Sequence, residues 1–267
     1  MMKRIVQVIC LLVYAVANVY GQEGVFLWDA NKIEQTVAKI TDTLYAGKIE
    51  VTNAMYQSFL EEPMIHDNPQ FLVAQIDSTG WVHPPDFHSE ELMMTYHLMP
   101  QYREHPVVNV SFEGAELFCK WLTEKYNAMP SKIYKKVRFR MPTEDEWMLA
   151  ARNPKIGGIY TNGDSLKDAN GRYYYNFDSN EPEEGGSNTP RPQHALVMLR
   201  PSISNPENGF GLYNICGNVS EMITPKGYTK GGCFRDRKEA LQIAGKIMYR
   251  GSSPAIGFRY FMDILEQ

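Results

Sequence analysis

The sequence predicts an α+β domain, and three observations predict it. Between Ser111 and Tyr126 the apolar residues Ala115, Phe118, Cys119 and Leu122 recur at the i, i+3, i+4, i+7 spacing of one buried helix face. A second helix start is written at Thr143, because Thr143 and Glu146 match a capping box in which each side chain satisfies a donor at the other residue. Short runs at Leu44 to Ile49, Val137 to Arg140 and Tyr228 to Phe234 read as strands, and the stretches between them are rich in Gly, Asn, Asp, Ser and Pro.

Taken in order, the chain opens with Lys3-Arg4, an apolar run from Ile5 to about Val16, and Val19-Tyr20-Gly21-Gln22. A basic start, a short apolar core and small residues at a cleavage point predict a secretory leader over residues 1–21. The run falls short of the roughly 20 residues that span a bilayer. Cys10 follows Ile9 rather than a small residue, which makes it a poor lipid-attachment site. No second long apolar segment follows, so no transmembrane segment is expected in the mature chain, and the protein is expected to be exported to a periplasm, a cell surface or the medium.

Residues 22–43 read as a mixed lead-in. Thr52 or Asn53 can cap a helix to about Leu60, since their side-chain oxygens accept otherwise orphan N–H groups. Residues 61–104, rich in Pro, His, Asp and Met, read as a long insertion with one helix near Ser89 to Leu98. Val107 to Val110 reads as a strand, and Ser111 caps the long helix. Trp147, Ala150 and Ala151 face inward on the helix after Thr143. Residues 153 to about 208 read as turns and irregular backbone, and Ile256 to Met262 as a closing strand. No repeat at a solenoid period is present.

Composition narrows the function. Loss of the leader leaves 25 basic against 31 acidic residues, which gives no basic footprint for nucleic acid. Only Cys119, Cys216 and Cys233 lie beyond the leader, so a disulfide framework is excluded. One bridge at most can form; Cys216–Cys233 is the pair to test, against three separate buried thiols. His83, His88, His97 and His105 fall close together with Asp86, but their spacing matches no helix-face pair or finger pattern, and they read as surface-loop residues. Lys132, Lys135, Lys136 and Arg138 read as a solvated cluster. No phosphate loop or Ser-His-Asp arrangement stands out.

Five motifs in order carry a resemblance: Gly47-Lys48-Ile49-Glu50-Val51-Thr52-Asn53; His105-Pro106-Val107-Val108-Asn109-Val110-Ser111; Arg140-Met141-Pro142-Thr143-Glu144-Asp145-Glu146-Trp147; Gly209-Phe210-Gly211-Leu212-Tyr213-Asn214-Ile215-Cys216-Gly217-Asn218; and Lys230-Gly231-Gly232-Cys233-Phe234 with Gly257-Phe258-Arg259 after it. The series resembles the formylglycine-generating enzyme family, the sulfatase-modifying-factor domain, over about Leu44 to Met262. The resemblance implies a loop-rich α+β fold related to the C-type lectin fold, with the domain at 44–267.

In the family's enzymes two cysteines on and after the Gly-Gly strand bind one Cu(I) and oxidise a substrate cysteine to formylglycine. Soft thiolates are what select Cu(I). Here those positions carry Asp236 and Leu241, and Cys233 stands where the family has Ser. Side chains at odd separation along a strand point to opposite faces, so Cys233 cannot stand in for residue 236. The copper pair is absent, and no catalytic residue is expected. The resemblance also implies a calcium site from Asn214, the carbonyls of Gly217 and Val219, and Glu221, a hard-oxygen set, with Asn176 and the Phe177 carbonyl in a second. Aromatic residues flank the Glu in relatives; here they are Ser220 and Met222.

The reading that follows is an exported, non-catalytic binding or scaffold domain of the bacterial cell envelope with a protein partner. Within the resemblance, gliding-motility and type IX secretion components of Bacteroidota give the cellular context. The alternatives are a family enzyme with altered chemistry and a calcium-dependent lectin-like carbohydrate binder.

Overall fold

The structure is a computed structural model that describes residues 26, 28–62, 69–82, 89–179 and 199–267. The expected leader at 1–21, His83, Asp86 and His88 lie outside the described residues. Helix α1 (Ala30–Gln35) leads into strand β1 (Val37–Lys39) and strand β2 (Leu44–Gly47). Helix α2 (Asn53–Leu60), α3 (Glu90–Thr95), α4 (Phe112–Ala128), β3 (Lys136–Arg140) and α5 (Glu144–Ala151) follow. After a long irregular stretch come β4 (Ser220–Ile223), β5 (Tyr228–Lys230), β6 (Ile247–Met248), β7 (Ile256–Gly257) and β8 (Phe261–Glu266).

The helix starts obey the local chemistry. Thr52 accepts from the Met55 N–H, Ser111 from Gly114 and Ser89 from Leu92. The Thr143–Glu146 capping box forms in both directions, and each such cap is worth about 1 kcal/mol. Glu146 also takes both Arg140 N–H arms at 2.7 and 2.6 Å, and those bonds hold its carboxyl down to about 2.

Two four-stranded sheets result. One runs β1-β2-β8-β3, all antiparallel; the other runs β6-β5-β4-β7, with β4 and β7 parallel. The run Ile256 to Met262 is therefore not one strand. Its two ends belong to different sheets, and Phe258, Arg259 and Tyr260 between them are buried at the junction. Val107 to Val110 is also not a strand. Val107 donates to Val51 O and Asn109 to Ser253 O, so successive residues bond different neighbours, and Asn109 turns the chain at φ 59°. Strand β5 stops at Lys230 because Gly231 (φ 85°) and Gly232 (φ 66°) leave extended backbone.

Three buried clusters fill the interior. The largest surrounds α4, where Phe118 packs on Trp28, Tyr56, Phe59 and Phe258 at 5.5–6.0 Å between ring centroids. The second surrounds Trp147 and takes Leu44, Ala46, Ile215, Cys216, Ile223 and Leu241. The third joins the 61–104 stretch to the body: Trp81, Leu92 and Tyr96 pack on Val108, Val219, Cys233 and Phe234. Residues 28–43, read as a lead-in, place Trp28, Ile33, Val37, Ala38 and Ile40 in the first two clusters. No helix among the described residues is long and apolar enough to cross a membrane.

Candidate functional site: a buried asparagine and carboxylate core beside closed cysteine positions

The loop Asn214–Asn218 is held by backbone that few residues tolerate. Asn214 and Asn218 sit at φ 49° and 64°, a left-handed region in which Asn is enriched. Gly217 at φ 81° presses on the backbone of Asn176: a Cβ there would lie 2.6 Å from the Asn176 carbonyl oxygen. Gly217 N–H donates to Gly231 O and Asn218 N–H to Asn176 O, both at 2.8 Å, which ties the loop to the Gly-Gly turn and to residue 176.

Into this loop points Glu50, a fully buried carboxylate. Its Oε1 accepts from Asn218 Nδ2 at 2.9 Å and its Oε2 from Asn214 Nδ2 at 3.3 Å. The same amides also donate to the carbonyls of Arg200 and Pro201 at 3.2 Å. Asn218 Oδ1 accepts from Asn176 Nδ2 and from the Arg200 N–H; Asn214 Oδ1 accepts from Asn205 and Ser204. Burial pushes the Glu50 carboxyl up to about 8; Arg259 works against that and Glu221 adds to it.

Beside it lies a second carboxylate, also buried. Glu221 Oε1 accepts from Arg259 Nε and Nη2 at 2.9 and 2.7 Å, and Oε2 from the Trp147 indole at 2.7 Å. Arg259 Nη1 and Nη2 also donate to Gly47 O and Tyr213 O, both at 2.7 Å. Lys230, opposite Glu221 on β5, is buried with Nζ 3.3 Å from Glu144; burial lowers it against that carboxylate's pull.

These contacts decide how the expected calcium ligands are used. Both Glu221 oxygens are taken by a guanidinium and an indole, and Asn214 Oδ1 by an amide and a hydroxyl. Asn176 serves as the clamp on Asn218, and Phe177 is buried in the Trp147 cluster. A cation next to Glu221 would also face the Arg259 charge. In this arrangement the two side chains expected to ligate Ca²⁺ at the first site, Asn214 and Glu221, are engaged by protein donors, and Arg259 supplies a positive charge at Glu221. Addition of millimolar Ca²⁺ is expected to leave the thermal unfolding midpoint where a chelator leaves it. A calcium-dependent rise of several degrees would reverse this assignment.

The cysteine positions of the enzymes are closed. Asp236 Oδ2 accepts from the Cys233 N–H at 2.8 Å, and the Asp236 carbonyl accepts from Asp178 N–H. Leu241 is fully buried at the end of the 3-10 turn Lys238–Leu241. Cys119, Cys216 and Cys233 are free thiols, one in each cluster, so the Cys216–Cys233 bridge does not form. Burial raises all three, Cys216 to about 12, which keeps them protonated and poor metal ligands. Ser220 and Met222, in place of the flanking rings, are both buried.

Two participants in the core, Glu50 and Arg259, stand in the motifs without being marked as site residues, although a charged residue set among apolar neighbours is a usable signal. His97 and His105 differ from their expected surface role: both are partly buried, with His97 Nδ1 2.9 Å from Asn53 Oδ1 and His105 against Tyr102. Arg138, expected to be solvated, pairs with Asp263 at 2.7 Å.

The two short sheets, the loop-rich connections and the asparagine-carboxylate core define a domain of the sulfatase-modifying-factor type. The chain belongs to that family: residues 17–264 match the sulfatase-modifying factor enzyme 1-like domain. It is similar to the formylglycine-generating enzyme of Mus musculus, with 27% identity over 176 residues, 58% of this chain and 38% of that protein. It is also similar to the inactive C-alpha-formylglycine-generating enzyme 2 of Bos taurus, with 29% identity over 119 residues, 44% of this chain and 32% of that protein. A third relative is the serine/threonine-protein kinase Pkn1 of Chlamydia trachomatis serovar L2, with 25% identity over 193 residues, 62% of this chain and 25% of that protein. The chain thus spans well under half the length of these three relatives. Among solved structures, PvdO from Pseudomonas aeruginosa superposes with TM-score 0.53 at 16% identity over 82% of this chain and 80% of that one. The Treponema denticola variable protein 1 superposes with TM-score 0.51 at 18% identity over 82% and 84%. These likenesses carry the fold.

Proposed function

We propose that this protein is an exported, non-catalytic member of its family that binds or scaffolds a protein partner in a bacterial cell envelope. The observation that carries the reading is the state of the two cysteine positions. A turn carboxylate, Asp236, and a buried leucine, Leu241, stand where two thiolates would hold Cu(I). The cysteines the chain does have are buried in three separate clusters. Trp81, Leu92 and Tyr96 from the 61–104 stretch cover Cys233 and so close the neighbourhood of the Gly-Gly turn from that side. The similarity to a relative described as inactive agrees with this.

Exposed apolar side chains on the same stretch support a partner surface there. Met94 (54% exposed), Leu98 (61%) and Met99 (40%) show apolar side chains to solvent, and Met94 and Leu98 are four residues apart. Methionine-rich apolar surface adapts to a partner's shape. The export and envelope setting rest on the expected leader, and the link to gliding-motility or type IX secretion components on the family resemblance.

The test is to titrate the reduced mature chain with Cu(I) and to present it with a cysteine-containing peptide under oxygen. No tight copper and no formylglycine product are expected. Stoichiometric Cu(I) with product formation would sink the reading and would mean that buried thiols have been recruited as ligands.

A further inference from the structure

We propose that the outer edge of β6 takes an extended, acidic segment of a protein partner as an added strand. The backbone supplies the first half of the inference. Strand β6 stands at one end of its sheet and pairs with β5 in the register Tyr228↔Met248 and Thr229↔Ile247. Tyr249 N–H donates to Gly227 O at 3.0 Å, which makes 227 and 249 a hydrogen-bonded pair. Such pairs alternate along an antiparallel ladder, so Thr229 and Ile247 form the next one and Met248 falls between the two. The N–H and C=O of Met248 therefore point away from β5, and no backbone group among the described residues bonds either of them. The side chains alternate in step. Lys246, Met248 and Arg250 are exposed, Met248 at 69%, while Ile247 and Tyr249 are half-buried. An open edge of this kind is where an extended peptide adds a strand, with main-chain bonds giving affinity and alternate side chains giving selection.

Charge selects the occupant. Lys230 and Lys246 share the one carboxylate of Glu144, at 3.3 and 2.6 Å, so this group keeps a surplus positive charge. Arg250 has no ion pair or hydrogen bond among the described residues. The edge is thus cationic in a chain whose net charge is −4. Tyr228, directly across from Met248, lies under Lys246 Nζ at 4.7 Å and sets an aromatic face beside the methionine. Residues directly opposite across an antiparallel ladder have side chains close enough to interact. A strand laid antiparallel on β6 sets one residue beside Met248, the residue two before it beside Arg250 and the residue two after it beside Lys246. The segment that matches is acidic, any, apolar, any, acidic. A second copy of this chain does not match. Two β6 edges centred on Met248 would set Lys246 against Arg250 twice, and like charges directly opposite destabilise. Charged residues on a short edge keep identical edges apart; here the same charges favour an acidic strand.

This edge is a different element from the Met94, Leu98 and Met99 surface, and the inference does not depend on the copper test. Its own test uses the full chain and a fluorescent peptide with Asp-Thr-Val-Thr-Asp at its centre, read by anisotropy, with Lys-Thr-Val-Thr-Lys as the control. The acidic peptide is expected to bind and to slow hydrogen exchange at the Met248 amide; the lysine peptide is expected to do neither. Met248→Pro removes the outward N–H and no bond to β5, a placement that an edge strand tolerates. It is expected to abolish binding and to leave the unfolding midpoint near that of wild type. Arg250→Glu is expected to weaken the acidic peptide by roughly tenfold, and Lys-Thr-Val-Thr-Asp to restore binding to that variant. If Met248→Pro fails to fold, the charge-swapped combination and the amide exchange still decide. An unprotected Met248 amide, or binding that survives Met248→Pro, overturns the proposal. A dimer seen by sedimentation and dissolved by Met248→Pro also overturns it, and would assign the edge to a second copy.

Discussion

Arg259→Met is expected to cost about 3–5 kcal/mol, the range for removing one partner of a buried ion pair. Against a total stability of about 5–15 kcal/mol, that is enough to bring the domain near unfolding. The guanidinium makes two bonds to Glu221 and one each to Gly47 O and Tyr213 O. It thereby ties β2, the asparagine loop, β4 and the segment before β8 in one place. Removing it leaves a buried Glu221 with only the Trp147 indole, and leaves two carbonyls without a donor. Arg259→Lys is expected to fail almost as badly, since an ammonium lacks the planar fork that reaches both a carboxylate and two flanking carbonyls. The double variant Arg259→Met, Glu221→Leu is expected to recover part of the loss, because no bare charge remains; the two carbonyls limit the recovery. Urea unfolding midpoints, compared at constant slope, read these differences. An Arg259→Met chain as stable as wild type would show that the pair is not the tie between the sheets.

Local signals were legible in the sequence and non-local ones were not. The helix at Phe112–Ala128 is announced by Ser111 and a run of apolar residues at helical spacing, all within a few residues of one another. The capping box at Thr143 is equally local, and both helices stand as read. Strands depend on partners far along the chain. Nothing in Ile256 to Met262 says that its ends join different sheets, because that division is set by Arg259 reaching Glu221, 38 residues away. The same holds for the site. Asn214, Asn218 and Glu221 were found by their motif, but their use follows from Glu50, 164 and 168 residues from the two asparagines. The order of the motifs identified the family because it compresses these long-range pairings into letters. It did not reveal that Asn53, in the first motif, contacts a histidine 44 residues later.

Glu50 should make the domain less stable as pH rises from about 4.5 to about 8. An unfolded glutamate titrates near 4.5, whereas the folded one is pushed up to about 8 by burial. Between those values the folded chain holds a proton that the unfolded chain has lost. Unfolding then releases a proton, so stability falls with rising pH, by at most about 1.4 kcal/mol per pH unit. Below 4.5 both states hold the proton, and above 8 neither does, so the contribution is flat on both sides. Glu50→Gln removes the titration and isolates it from every other group. The substitution has its own cost. Asn214 and Asn218 both present Nδ2 to the side chain, and each also donates to a backbone carbonyl, so neither can turn over to accept from a Gln amide without losing a bond. About 1–3 kcal/mol is expected for the unmet donor. Glu50→Gln should therefore be the less stable protein at pH 5, with the gap closing as pH rises and reversing before pH 8, because about 1.4 kcal/mol per unit over most of that interval exceeds the cost of the substitution. Unfolding free energies measured at half-unit steps across that interval give the comparison. Curves that run parallel would mean that Glu50 is ionised throughout; the core would then hold two carboxylates against the single Arg259 guanidinium, and its cohesion would have to come from the asparagine amides.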